Sequence, residues 1–343
     1  HYIPRALMVA FGWLIVKTLA LFYIFSHFTN PAWLEAIYLW VRRTGVGEIT
    51  RALADTNAWR VFFQSHVYAL PVAIGGAWYA ITHPRFSSFG WMIWIGAWAT
   101  LTVSLSRSLL IGTGTGMVAS FILILISVTL PMIIGRVQLQ SEDSGLGTPL
   151  REGERQERAR VFIGGWLRWA GAIFAALLVV VGLFYAPPRP VGSLTDLFAS
   201  RTNLNEDAAV SRWKLLPVLW EGVKRHPVLG SGFGATVTYQ SKDPRVVAIT
   251  GGTYTTYAFE WGWLDHWFKF GILGIPLILW MLLRVGKRAW QSQQAFWIRG
   301  ALVSSLVALA VTHFFTPYIN HPLGIMWLIV LEGFNDLSPY DHD

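Results

Sequence analysis

The sequence predicts an all-α, polytopic transmembrane helix bundle with a large extracytoplasmic loop containing short helices, and three observations predict it. Apolar residues make up 54% of the 343 positions and charged ones 13%, against roughly 25% charged in soluble domains, and the mean hydropathy is +0.45. Apolar stretches recur near 6–25, 66–82, 88–105, 108–134, 161–185, 263–283, 298–316 and, shorter, 320–332. Each of the first seven is about long enough to cross ~30 Å of hydrocarbon at 1.5 Å per residue. Between the fifth and sixth lies a charged, Gly-rich and Trp-rich insert, about 186–262, which cannot cross a bilayer and must lie at one face.

The domain organisation follows. Residues 1–185 form the first part of the bundle, 186–262 the extracytoplasmic loop and 263–343 the C-terminal part. The chain begins at His1 and runs at once into an apolar stretch, which reads as a fragment whose N-terminal spans have been removed. Lys17 sits in the middle of the first stretch, a position that makes an ionisable group a functional hypothesis. An aromatic and basic segment follows at 26–65, and a charged loop, EGERQERAR, lies within 136–160.

Orientation comes from the short loops. The turn with Arg284, Lys287, Arg288 and Arg299 has no acidic residue, which makes it cytoplasmic. Counting spans back puts Arg85 and the loop 136–160 on the same side. The insert, the segment 26–65 and the turn SLSRS then face outward.

Composition excludes several classes. There is no Cys, so neither a disulfide framework nor a Cys metal site can exist. The net charge of +8 is scattered among loops with no nucleic-acid fold signature. Membrane lipids and phosphate-bearing partners fit it better than nucleic acid. The 19 Trp suit headgroup-level anchoring.

Within the insert, SRWKLLPVLWEGVKR reads as a helix. At about 100° per residue, Arg212, Leu215, Leu216, Leu219 and Val223 share one face while Lys214, Glu221, Lys224 and Arg225 lie around the other. Asn203 with Glu206 suits a capping box, and Pro217 a kink or division. Arg212 on an inward face needs an anionic partner, either a diphosphate that matches its fork of donors or a carboxylate that steadies the loop. Continued as a helix, Glu260 falls with Leu264, Trp267, Gly271 and Gly274 on a face of small residues that looks inward. Asp265, His266 and Lys269 point elsewhere, Asp265 and Lys269 as a plain i, i+4 pair. GSGFG is a turn for close backbone approach rather than a nucleotide loop, since neither a strand nor Lys-Ser/Thr flanks it. His313 and His321 lack metal spacing and suit hydrogen bonding.

Three features together resemble the O-antigen ligase and O-antigen polymerase superfamily of bacterial membrane glycosyltransferases: Ser-Arg at the outer end of a span (SLSRS, Arg107), SRW followed by HPVLGSGFG, and Glu260 eleven residues ahead of GILG. Many relatives have His-Asn at the third motif, where this chain has Glu260-Trp261 and a His only at 266. The resemblance implies a GT-C-like bundle in the bacterial inner membrane. It also implies an inverting transfer of glycan from a polyprenyl diphosphate carrier to a glycan or lipid acceptor at the outer face. Arg107, Arg212 and Arg60 would bind the diphosphate, with Arg212 also catalytic, and Glu260 or His266 would serve the acceptor hydroxyl. The resemblance implies neither metal nor cofactor. A transporter or flippase of lipid-linked glycans is the alternative; its two related halves are not visible in the sequence.

Overall fold

The computed structural model describes residues 2–28, 32–51, 59–83, 85–139, 152–196, 198, 207–241 and 244–336, with the side chains of 2–4, 128–139, 152–162, 207–209, 211–212 (Arg212 among them), 244–245 and 334–336 outside the description. The bundle is built from α1 (Tyr2–His27), α3 (Ala69–Thr82), α4 (Ser88–Ser104), α5 (Arg107–Leu139), α6 (Glu152–Tyr185), α10 (Gly274–Gln291), α11 (Phe296–Phe315) and α12 (Pro322–Asp336). Between α1 and α3 stand α2 (Ala32–Thr44), the antiparallel ribbon β1 (Gly47–Arg51) and β2 (Trp59–Phe63), and a 3-10 turn, Gln64–Tyr68. The insert contains α7 (Asp207–Arg225), a second antiparallel ribbon of β3 (Val237–Gln240) and β4 (Thr253–Thr256) with α8 (Pro244–Thr250) at its tip, and then α9 (Gly262–Phe270). The chain is thus mostly helical. The two short ribbons depart from the all-α expectation.

Among the described residues, four helices are long and apolar enough to cross a membrane: Arg5–His27, Arg107–Ser127, Ile163–Tyr185 and Phe296–Phe315. The expected seven are reduced for physical reasons. Helices α3 and α4 have only 14 and 17 residues, about 21 and 26 Å at 1.5 Å per residue. Most of α3 (Leu70, Ile74, Ala77, Trp78, Ile81) is buried in protein rather than facing lipid. The stretch 263–283 is not one span. It breaks at Gly271, whose φ of +70° ends α9 before α10 begins.

The centre of the bundle is the α3, α5 and α11 contact. A Cβ on Gly112 would lie 1.9 Å from Thr312 Oγ1, and one on Gly116 2.9 Å from Ala308 Cβ, so these small residues at i, i+4 let α5 and α11 approach closely. The Trp78 indole donates to Ser120 Oγ at 2.9 Å and Ser304 Oγ at 3.3 Å, tying α3 to α5 and α11. A separate apolar cluster of Leu215, Leu219, Val223, Val237, Phe259 and Phe268 holds the insert together. Along α7, Leu215, Leu219 and Val223 are buried and Leu216 is half-buried, as the periodicity predicts for these four, with Lys214, Glu221, Lys224 and Arg225 exposed. Pro217 stays within one unbroken helix. The Asn203–Glu206 capping box lies outside the described residues.

One end of the bundle gathers the insert, the 26–65 segment and the α4–α5 turn. Val191 N–H donates to Ser26 O at 2.9 Å, Tyr68 OH to Leu323 O at 3.1 Å and Thr316 Oγ1 to Ser108 Oγ at 2.9 Å. The opposite end carries the Arg288–Glu332 pair, 3.1 Å, and the Arg168 bond to His83 O. Sidedness can be read chemically, because the chain has no cysteine of its own. Gly234→Cys, on the exposed insert turn, is expected to react with an impermeant thiol reagent in spheroplasts, and Gln293→Cys to stay unlabelled. The reverse pattern would put the insert in the cytoplasm.

Candidate functional site at the α9 and α11 junction

Helix α9 buries Gly262, Asp265, His266 and Lys269, positions i, i+3, i+4 and i+7 of one helical face. The expected inward stripe through Glu260 is therefore corrected. Glu260 precedes the helix and is exposed. Trp267 turns toward the insert, where its indole donates to Pro227 O at 3.0 Å. The polar face goes inward because it meets polar groups that satisfy it, on α11 and on the 3-10 turn Tyr318–Asn320.

Those groups form a continuous line. Ile319 N–H can only donate, and it donates to His313 Nδ1 at 3.1 Å. That leaves the proton of a neutral His313 on Nε2, which lies 3.0 Å from His266 Nδ1. His266 Nδ1 then accepts and its Nε2 carries the proton, the tautomer that suits its bond to Asn320. Gly262 O also lies 2.9 Å from His266 Nδ1. Asn320 Nδ2 donates to Asp265 Oδ2, and Lys269 Nζ pairs with Asp265 Oδ1 at 2.8 Å, with side-chain exposures of 6% and 1%. Lys269 also faces the Phe233 and Phe259 rings at 5.1 and 5.2 Å.

Burial sets the protonation of this line. It holds His266 below the ordinary imidazole range, against the bond to Gly262 O that only the protonated ring can donate from Nδ1, so the ring is neutral at pH 7. Burial raises the Asp265 carboxyl above its ordinary range, and the Lys269 and Asn320 contacts pull it back only in part. The arrangement positions and fixes tautomers. A group that must meet a substrate has to come from the exposed rim, where Glu260 stands.

The segment HPVLGSGFG grips the end of α9. Ser231 N–H donates to Phe268 O at 2.7 Å, Gly232 N–H to Lys269 O at 3.0 Å and Ile272 N–H to Pro227 O at 2.9 Å. These bonds satisfy carbonyls that a helix C-terminus leaves open. A Cβ at Gly230 would meet Lys269 O at 2.5 Å, and one at Gly271 would meet Val228 O at 1.9 Å. The close approach expected of this turn is its function in the fold.

The expected arginines fall in different places. Arg107 begins α5 directly after the turn at Leu105 (φ 47°) and is half-buried. Its neighbour Ser108 is bonded by Thr312 Oγ1 at 3.4 Å and Thr316 Oγ1 at 2.9 Å, the residues that bracket His313 on α11. Arg60 lies on β2, paired with Glu48 at 3.0 Å and set over the Phe62 ring at 5.7 Å, so its charge is already met inside the ribbon. Arg212 lies on α7, and its side chain is outside the described residues. Lys17 has the Phe63 ring as partner, 4.0 Å from its centroid.

Sequence reasoning missed Asp265, Lys269 and Asn320 as a unit. The available signal was the spacing of Gly262, Asp265, His266 and Lys269, which a search for apolar inward faces passes over. Among the described residues no group of three His, Asp or Glu side chains could hold a metal ion. Compared with models of protein families, with characterised proteins and with solved structures, the chain matches none.

Proposed function

We propose that the chain is a membrane glycosyltransferase of the O-antigen ligase or polymerase type, moving glycan from a polyprenyl diphosphate carrier at the end of the bundle that holds the insert. One observation carries the reading: the Ser-Arg turn and α9, far apart in sequence, meet around the last turn of α11 through Ser108, His313 and His266, and the HPVLGSGFG turn holds the other end of α9. An apolar cavity of about 480 Å³ supports it, lined by Trp98, Leu110, Thr113, Met117, Phe121 and Trp166 among others. It starts one helical turn along α5 from Arg107, a bed for an isoprenoid chain whose diphosphate meets the guanidinium.

In the proposed reaction the acceptor oxygen bonds to the sugar's anomeric carbon as the bond from that carbon to the diphosphate oxygen breaks. Arg107, with Arg212, stabilises the departing diphosphate. The acceptor proton passes to Glu260, whose exposure lets it reach a substrate, while His266 and His313 hold α9 in place. With purified protein and a polyprenyl-diphosphate-linked glycan, Glu260→Gln is expected to lower transfer by about 10² to 10⁴ with donor retention intact. Arg107→Lys is expected to lose donor retention, since an ammonium lacks the bidentate fork. Lys224→Ala, on the exposed face of α7, serves as the silent control. Full transfer by both Glu260→Gln and Arg107→Lys would overturn the assignment, and so would carrier translocation without transfer, the behaviour of a flippase.

A further inference from the structure

A polar cavity of about 250 Å³ opens between the end of α2 and the β1–β2 ribbon, lined by Arg42, Gly45, Gly47, Glu48, Phe62 and Gln64. We infer that it is a subsite for one pyranose ring bearing a carboxylate.

Size is the first argument. The volume lies below the roughly 300 Å³ at which pockets for drug-sized molecules begin, so it suits a single ring. The lining is the second. Arg42, Glu48 and Gln64 are planar polar groups that match pairs of neighbouring hydroxyls, and Phe62 offers an apolar surface for the C–H face of a sugar. Neither Gly45, in the turn after α2, nor Gly47, at the start of β1, puts a side chain into the space. Gly45 has φ +66° and open space where a Cβ would stand, and a Cβ on Gly47 would meet Phe62 O at 2.3 Å.

Charge selects the kind of sugar. Glu48 is paired with Arg60 at 3.0 Å, whereas Arg42 has no carboxylate partner among the described residues. Among the described residues its Nε is buried without a hydrogen-bond acceptor, and its guanidinium lies 5.5 Å from the Tyr38 ring centroid. A guanidinium with no carboxylate partner among the described residues suits a planar carboxylate, which it can hold by two parallel bonds. A phosphate dianion suits the cavity less, because Glu48 stands in the same lining. A uronate can turn a hydroxyl toward Glu48 and its carboxylate toward Arg42.

The cavity is tied to the α9 and α11 junction. Gln64 O accepts from Tyr318 OH at 3.2 Å, and the next residue, Ile319, donates to His313. The subsite's role, holding a sugar of the acceptor glycan, rests on the transferase reading; its binding does not.

The test is saturation-transfer NMR on the full chain in nanodiscs, with methyl β-glucuronide, methyl β-glucoside and inorganic phosphate as probes. The glucuronide is expected to bind roughly tenfold or more tightly than the glucoside, the scale of one charge-assisted hydrogen bond, with no displacement by phosphate. Arg42→Leu is expected to erase that preference, and Gln64→Ala to weaken both sugars, each with an unchanged melting temperature. Equal binding of the two sugars by the unaltered protein, displacement by phosphate, or a preference that survives Arg42→Leu would overturn the subsite. Absent binding beside intact transfer would overturn the subsite alone. Glucuronide binding in a protein without transfer would overturn the transferase reading and leave the subsite standing.

Discussion

Gly262→Ala is expected to separate α9 from α11 and to remove both the folded junction and transfer. A Cβ there would stand 2.0 Å from His313 O and 2.7 Å from His313 Cε1. The nearest atom is backbone on a helix held through Gly112 and Gly116 against α5, so no flexible side chain can give way. Overpacking of this kind costs about 1–3 kcal/mol and sometimes more, and a rigid backbone contact belongs at the upper end. The consequence reaches past stability, because a shift of α9 breaks the bond between His266 and His313. Gly234→Ala, with open space around its Cβ position, is the comparison. Thermal melting in detergent and transfer rate should both fall for Gly262→Ala and neither for Gly234→Ala. A Gly262→Ala protein that melts like the parent would mean α9 does not pack as described.

Lys269→Met is expected to have the next largest effect. It leaves Asp265 with a buried charge and only Asn320 to meet it. Removing one partner of a buried pair costs about 3–5 kcal/mol. Asp265→Asn combined with Lys269→Met removes both charges, and most of the loss should return. Restoration separates charge burial from lost packing, since the double variant lacks the same methylenes.

The pH dependence has a definite sign. Burial already raises the Asp265 carboxyl above the ordinary 3.8, so the folded state holds that proton more tightly than the unfolded chain. Stability from this group therefore falls as pH rises from about 3.8 through the raised value. Without Lys269, whose contact lowers the carboxyl, the fall extends to higher pH. The gap between parent and Lys269→Met should thus be wider at pH 7 than at pH 5. His266 runs the other way: burial holds it low, and stability is lost as pH falls through the ordinary 6.5. Lys269 also lowers His266, so Lys269→Met loses less at low pH from this group, which changes the gap in the same sense. A gap that narrows toward pH 7 would contradict the buried pair.

Much of this architecture is legible in the sequence, for identifiable reasons. Apolar runs mark α1, α5, α6 and α11, because a long helix in lipid must be apolar all round. The stripe of Leu215, Leu219 and Val223 marks α7, because its other side meets water. What escapes are places where two local rules compete. The stretch 263–283 is apolar enough to look continuous, yet a left-handed glycine divides it at Gly271. The inward face of α9 is polar, and its buried Asp265 and His266 are met by Asn320 and His313, some 50 residues further along, which no local pattern encodes. The ribbon that pairs Arg60 with Glu48 depends on a strand register, Thr50 opposite Arg60, that a reading of helices does not supply.

The grip of the 227–232 turn on the end of α9 also decides where this chain can change length. Both ends of the excursion through β3, α8 and β4 are pinned by main-chain bonds, and Ser241 N–H to Gly252 O at 2.8 Å closes its tip. For a flexible loop with fixed ends, doubling its length costs only about 0.6 kcal/mol of closure entropy. The exposed turn at Gly251, between α8 and β4, is therefore a tolerant insertion point, where a reporter or a recognition segment can be added without disturbing His266 and His313.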